Sequence, residues 1–447
     1  MEISPVTPCR EYQSTAAADM TGDSSAPNAV FTQESTISPI FSGRCHSVFL
    51  FLHSVFFMIT SIHYTDYRNL ADCTVTFEPG VNVLWGMNAQ GKSNILEGIY
   101  YFARGKSFRG AHDRELIRFG APFARAELTC LRDGHEHPTT LEAYLPRTGK
   151  KRFTKNGAPL SSVVELMGHV RAVLFCPAHL SIVTGGPLER RTLMDVALSQ
   201  LSPAYLIHLR RYARLLADRN ALIKLAAAGQ NVTEAEWEVY AEQMSLHGAK
   251  IAAYRNEYVS LLSAAVGEYF SAMTGGAEVP SVSYQSHATG DEDGAYPLYL
   301  TGSPGEAQPD TNAMENRLRE RLTIHREREI AAGVTLFGTH KDDIRLLLND
   351  KEARLYGSQG QQRSMVLAIK LAEGAISARC AALHGGESPV YLLDDVFSEL
   401  DGRRRAFLME ELGERQIIVT SCEPDVIAAK ERVSFRQVEN GDIRDKK

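Results

Sequence analysis

The sequence predicts an α/β fold: one lobe assembled around a mixed sheet from both ends of the chain, with a mostly helical lobe inserted between them. Three observations predict it. An apolar strand over residues 81–85 runs into the glycine-rich stretch 86–93 and then into a helix that opens near Ser93. A second apolar strand, 390–393, ends in the carboxylates Asp394 and Asp395 about 300 residues later, more chain than one compact lobe needs between such features. Between them, from Asp195 onward, the apolar spacing changes to that of helices.

The chain has 447 residues, enough for more than one core, and 44% hydrophobic with 23% charged residues is the composition of an ordinary soluble globular protein. A formal charge of -6 argues against a protein that coats nucleic acid by bulk attraction, so any such contact must come from local basic patches. Seven cysteines with no C-x-x-C pair suit neither a disulfide framework nor a structural zinc site. A reducing cytoplasm is the compartment this composition predicts.

Taken in order, residues 1–57 are rich in Ser, Thr, Ala and Pro and hold no period, which predicts a disordered extension or an upstream overcall of the start, with Met58 as the true beginning. The apolar run at 48–57 is too short to span a bilayer and too far from the N-terminus for a secretory signal. Residues 58–194 are expected to form the first part of the two-ended lobe. Ile59, Ile62 and Tyr64, then Val75 and Phe77, read as a hairpin leading into the 81–85 strand. Arg104, Lys106 and Arg109 follow in a turn-rich stretch and either reach phosphates or form a solvated basic turn. A β-rich section fits 124–156, with Lys150, Lys151 and Arg152 at an exposed hairpin tip, and 170–174 reads as a further buried strand.

Residues 195–330 are expected to be the insertion. Tyr205, Leu209, Tyr212, Leu216, Leu222 and Leu225 share one helical face, and a second helix spans about 234–273. Joined near Gly229, the two predict a short antiparallel arm. Arg210, Arg211 and Arg214 beside the stripe read as a solvated face, with a phosphate-contacting rim as the alternative. Residues 275–312 are loop-like apart from a strand at 281–285, and 315–330 read as one exposed, salt-bridged helix. Residues 331–447 return to the first lobe.

The chemistry concentrates at four places. Gly86, Met87, Asn88, Ala89, Gln90, Gly91, Lys92 and Ser93 match G-x-x-x-x-G-K-[ST], the phosphate-binding loop. Its glycines let backbone N–H groups close on phosphates, Lys92 sets a charge on the outer ones, and the Ser93 hydroxyl is placed for Mg²⁺. ATP with Mg²⁺ is the expected ligand pair. Asp394 and Asp395 end their strand as a metal carboxylate and a water-orienting carboxylate would. Ser358 and Gly360, with Gln361, open a long apolar helix as an anion-binding N-terminus or as a plain cap. Asp401 follows the carboxylate strand closely, and 417–420 read as another buried strand with polar residues at its carboxyl end.

In this order the four elements are the signature of ABC-type ATPases, and from residue 58 to the end the chain resembles the RecF family. The resemblance rests on Tyr67-Arg68-Asn69, on 88–93, on Gly105-Lys106-Ser107-Phe108-Arg109, on Gly186-Pro187 with Arg190-Arg191, on His340-Lys341-Asp342-Asp343, on 357–362 and on Leu393-Asp394-Asp395. It implies an ABC-type ATPase head carrying the insertion, and an ATP-dependent homodimer in which residues 86–93 of one copy hold the nucleotide while Ser358 and Gly360 of the other touch its γ-phosphate. Ser93 and Asp394 would then hold Mg²⁺, Lys92 and Asp395 would act in catalysis, and Asp401 would contact the partner. It further implies weak, DNA-stimulated ATP hydrolysis and binding to double-stranded DNA near single-strand gaps, with RecR and RecO helping to load RecA. A nucleotide-gated structural DNA clamp and a transporter-type ATPase subunit are the rival readings. Two positions depart from the family pattern: Ala178, where Glu is common, and Ser421-Cys422, where many ABC ATPases use histidine.

Overall fold

The computed structural model describes residues 57–132, 137–288, 299–300, 311–384, 388–413, 415–423 and 433–445. Residues 1–56 of the extension expected over 1–57, and residues 289–298 and 301–310 of the loop-like stretch expected over 275–312, lie outside the described residues. Phe57, the first described residue, pairs with Arg132 and is buried.

The central six-stranded sheet draws on both ends of the chain. Its order is Asp442–Asp445, Val433–Glu439, Val81–Trp85, Ile417–Ser421, Val390–Asp394 and Ala172–Phe175. Every neighbouring pair is parallel except the first. The strands Val390–Asp394 and Ile417–Ser421 are buried on both faces, which is why 390–393 and 417–419 are continuous apolar runs rather than alternating ones. Parallel register sets Thr420 beside Asp394 on one side and beside Leu84 on the other, so the carboxyl ends of three strands finish together.

A second, antiparallel sheet runs in the order Leu70–Thr76, Phe57–Tyr67, Phe123–Arg132, Thr139–Pro146, Arg152–Lys155 and Ala158–Leu160. Its strands alternate between buried and less buried residues, as a sheet with one packed face should. The helix Lys92–Arg104 shares one hydrophobic cluster with both sheets, through Ile95, Leu96, Ile99 and Phe102. Tyr64 of the antiparallel sheet donates its hydroxyl to Ile95 O at 2.6 Å, which pins the helix's first turns to that sheet. The Lys151 side chain is not the free hairpin tip expected: it donates to Gly105 O at 2.8 Å and pairs with Asp113 at 3.0 Å, so it ties the antiparallel sheet to the end of that helix.

The helical period starts earlier than expected, at Pro187, because Gly186-Pro187 supplies a helix start. Pro203–Ala227 follows, capped by Ser202, and then Glu234–Thr274, opened by a Thr233/Glu236 capping box and closed by Gly275. At about 1.5 Å per residue its 41 residues span about 60 Å. Leu225, expected on the apolar stripe, is exposed, and Arg219 is buried instead against Glu329 at 2.6 Å. The charged stretch 315–330 is two helices, Thr311–Ile324 and Arg326–Ala332, parted at His325, whose ring stacks on Phe337. Arg319 and Arg326 pair with Glu238 and Glu234 of the long helix, but Arg321 and Glu329 are buried, so only part of this segment is the solvated face expected.

A four-stranded sheet, ordered Tyr299–Leu300, Pro280–Gln285, Asp343–Leu348 and Lys351–Glu352, borders the helices. Buried Arg255 joins the two: it reaches Asp195 at 2.8 Å, Asp342 at 3.2 Å and Thr339 O at 2.7 Å. Arg190 forks onto Asp343 at 2.7 and 2.8 Å. Burial pushes the Asp342 carboxyl up to about 6, opposed by Arg255. Among the described residues no helix is long and apolar enough to cross a membrane.

Candidate nucleotide site

The loop 86–93 leaves its strand at a bend that only glycine tolerates. Gly86 has φ 153° and a Cβ there would lie 2.3 Å from Val438 O; Gly91 has φ 113° and a Cβ there would meet Asn69 Oδ1 at 2.8 Å. Ala89 also takes positive φ, at 64°. Lys92, buried, turns its ammonium back onto Gly86 O at 2.6 Å and Met87 O at 2.7 Å, so the charge is held over the bend of the loop. Ser93 follows in the first turn of a helix that has no side-chain cap, leaving its positive end for an anion.

The loop is braced from two directions. Asn69 donates to Gln90 O at 3.0 Å and accepts from Asn94 at 2.7 Å, which gives a physical role to the Asn of Tyr67-Arg68-Asn69. The turn between the last two described strands donates Asn440 N to Gln90 Oε1 at 2.6 Å and Gly441 N to Gln90 O at 3.0 Å. Beneath them Glu97, fully buried, receives both prongs of Arg68 at 2.9 Å and the Ser107 hydroxyl at 2.5 Å. Arg109 comes from the same basic stretch: it donates to Asn94 Oδ1 at 2.9 Å and stands 4.0 Å from both Glu97 and Asp394. Of the two readings of that stretch, this one side chain is aimed at the loop, while Lys106 stays exposed.

Asp394 and Asp395 arrive through the sheet. Thr420 donates its hydroxyl to Asp394 Oδ1 at 3.0 Å and accepts the Asp395 N–H at 2.9 Å, so one side chain orients both acidic residues. Asp395 takes φ 52°, a left-handed conformation uncommon outside glycine. A cavity of about 230 Å³ opens here, lined by 88–94 together with Arg109, Asp395, Thr420 and Cys422. Cys422, at one of the two positions that depart from the family pattern, places Sγ 3.0 Å from Asn88 Oδ1. Ser93 and Asp394 offer a hydroxyl and a carboxylate, hard oxygen donors of the kind Mg²⁺ takes, so the residues present fit that ion.

Ser358, Gly360, Gln361 and Asp401 lie outside this cavity and form a second cluster. Ser358 accepts the Gln361 N–H at 3.3 Å while Gln361 accepts the Ser358 N–H at 2.6 Å, a reciprocal cap on the helix Gln359–His384. Gln361 also bonds Glu278. Asp401 caps the helix Gly402–Leu412 by accepting the Arg404 N–H at 2.9 Å, and that bond, with the Arg404 guanidinium, holds its carboxyl below the usual carboxylate range. Both Ser358 and Asp401 are exposed. The sequence places Thr420 at the polar end of a buried strand but assigns it no role, and Arg404 carries no pattern at all. Arg210, Arg211 and Arg214 are exposed along their helix, with Arg214 3.8 Å from Asp218. Ala178, the other departure, sits exposed in the short turn Pro177–Leu180.

Comparison with known proteins agrees with this geometry. The family described as RecF/RecN/SMC N terminal domain matches residues 58–444. A DNA replication and repair protein RecF from Lachnospira eligens is 35% identical over 364 residues, 81% of this chain and 92% of its own. Its namesake from Halalkalibacterium halodurans is 34% identical over 384 residues, 85% of this chain and 97% of its own. The solved structure of the recombination mediator protein RecF-ATP in the RecFOR pathway superposes with a TM-score of 0.75 at 29% identity, covering 88% of this chain and 100% of that one. The RecF-ATPrS structure gives 0.77 at 28% identity, covering 88% and 99%. An ABC-type ATPase head, a phosphate loop closed by two distant carboxylates and relatives matched over four-fifths of the sequence meet in one conclusion: this chain belongs to the RecF family.

Proposed function

We propose that the protein is an ATP-dependent double-stranded DNA-binding protein of recombinational repair, acting in the cytoplasm as a dimer that forms on ATP. The observation that carries this reading is that Lys92 and Ser93, after one parallel strand, and Asp394 and Asp395, at the end of another, stand on either side of the carboxyl end of Ile417–Ser421, with an anion-receptive helix end beside them. Residues 58–194 and 331–447 act as one ATPase lobe, and 195–330 as the inserted lobe with its short arm. Gly86, Met87, Asn88, Ala89, Gln90 and Gly91 wrap the phosphates. Lys92, released from its carbonyl partners, sets its charge on the outer phosphate oxygens. Ser93 and Asp394 would hold Mg²⁺, which when bound supplies charge neutralisation between the outer phosphates.

Asp395 orients the attacking water, held by the Thr420 bond to its backbone. Its side chain is one methylene shorter than the Glu usual in related ATPases, which favours slow turnover and a switch over a motor. Ser358, Gly360 and Gln361 of one copy then read the γ-phosphate held by the other, and Asp401 contacts the partner. The exposure of Ser358 and Asp401 and the separation of all four residues from the cavity support this division, because a seat that one protomer leaves open is available to a second. The names of the relatives, a DNA replication and repair protein and a recombination mediator of the RecFOR pathway, support a place in that pathway beside RecR and RecO; loading of RecA at single-strand gaps and stalled forks, with hydrolysis stimulated by DNA, completes the proposal.

The test is DNA binding with and without Mg-ATP for the natural protein, Lys92→Met and Ser358→Arg. Both variants are expected to lose the ATP-dependent part of binding. Retention in both defeats the shared-nucleotide reading.

A further inference from the structure

The turn of Ser358 and Gly360 and the cap at Asp401 touch through one side chain. Arg404, 28% exposed on the first turn of its helix, uses its three nitrogens on three different acceptors. Nε donates to Ser364 Oγ at 2.9 Å, Nη2 to Gly360 O at 3.1 Å, and Nη1 to the Asp401 carboxylate. A Cβ on Gly360 would come within 3.4 Å of Nη2, so the guanidinium is seated closely on the turn. Arg363 also crosses between these segments, but farther along the helix and to Glu399, at 2.8 Å to the carbonyl and 2.5 Å to the carboxylate. Arg405 donates to Leu400 O at 2.9 Å. Arginines thus hold three successive residues, 399, 400 and 401, and Arg404 alone of them also grips the carbonyl of Gly360.

The geometry points to Arg404 as a positioning residue that fixes the Ser358/Gly360 turn and Asp401 in one relation, so that a second copy carrying a nucleotide meets both together. This rests on the shared-nucleotide reading above and adds to it the part that makes the receiving face one surface. The planar fork of arginine is suited to this, since its donors point in fixed directions and lose little freedom per bond formed. Without it, the turn and the cap would each have to be ordered at the moment of association, which weakens binding with no contact to the nucleotide lost.

The experiment measures two constants for the full chain: association by analytical ultracentrifugation under saturating Mg-ATP, and affinity of the single protomer for a fluorescent ATP analogue at high dilution. Arg404→Ala is expected to weaken association about tenfold or more and to leave protomer affinity within about twofold. Arg404→Lys, which keeps the charge but not the fork, is expected to recover only part of the loss. Asp401→Ala added to Arg404→Ala should cost less than the two separate losses combined, because the two residues act as a unit. Equal association for Arg404→Ala and the natural protein overturns the assignment. So does a parallel fall in both constants, which marks general damage, or full additivity with Asp401→Ala. Should Arg404→Ala fail to fold, Arg404→Lys carries the test, and natural-level association in it overturns the assignment. A natural protein that stays single with Mg-ATP defeats the shared-nucleotide reading itself, a result distinct from one in which it pairs and Arg404 proves irrelevant.

Discussion

At the phosphate-loop pole, Lys92, Ser93 and Asp395 come from stretches about 300 residues apart and line one cavity, with Asp394 just before Asp395 at the end of its strand. At the signature pole, Ser358, Gly360 and Asp401 lie within about 45 residues of one another, stand outside that cavity and are held by caps and by Arg404. The first pole has a lysine, a hydroxyl and two carboxylates, a full set of groups for a magnesium nucleotide. The second offers a helix N-terminus with a hydroxyl and a carbonyl-bound guanidinium, groups that can recognise an anion but cannot transfer a phosphoryl group. The contrast teaches that the two clusters are built by different means, one by long-range sheet pairing and the other by local capping, so that on the proposed reading chemistry and recognition are built separately.

The largest effect that would break this contrast is expected at Glu97. Replacing it with Ala leaves the Arg68 fork and the Ser107 hydroxyl without their shared partner and should lower unfolding free energy by about 3–5 kcal/mol, read by chemical denaturation. A loss below about 1 kcal/mol would mean that the phosphate pole does not depend on its buried charge. Next is Asp395→Asn, for which steady-state turnover should fall about 10- to 100-fold; an unchanged rate removes Asp395 from the water position and favours the structural clamp. The smallest is Asp401→Asn. Asn caps a helix about as well as Asp, so thermal stability at neutral pH should move by only a few tenths of a kcal/mol, while ATP-driven association falls. The Asp401 carboxyl is held below its ordinary range, so its contribution is present above about pH 3.9 and is lost as pH falls through the folded-state value. That acid-side loss should vanish in Asp401→Asn, as melting curves from pH 5 downward would register.

Much of the phosphate pole was legible in the sequence because each piece is contiguous: a strand, a glycine loop and a helix in register announce themselves by spacing. The buried strands at 390–394 and 417–421 were legible for a related reason, since parallel strands covered on both faces are apolar throughout. What could not be read is which charges meet. Arg68 and Glu97 are partners across 29 residues, Arg219 and Glu329 across more than 100, and each arginine alone resembles the solvated ones at 210 and 211. Lys151 was misjudged for the same reason, because its acceptor Gly105 O belongs to a distant helix end. The single charged helix expected over 315–330 is interrupted at His325, whose backbone leaves the helical conformation at φ -93° and ψ 12° and whose ring stacks on Phe337. Arg404 had no signal at all, since its importance lies in touching a glycine carbonyl 44 residues earlier.

The brace formed by Asn440 and Gly441 on Gln90 gives this protein an order of maturation. A ribosome delivers the loop at 86–93 more than 300 residues before the strands at 417–421 and 433–439 that flank it, so a growing chain carries the lysine and serine of a triphosphate site long before it owns the walls. On the proposed reading, nucleotide favours a head already closed by its latest-made strands rather than templating the early chain.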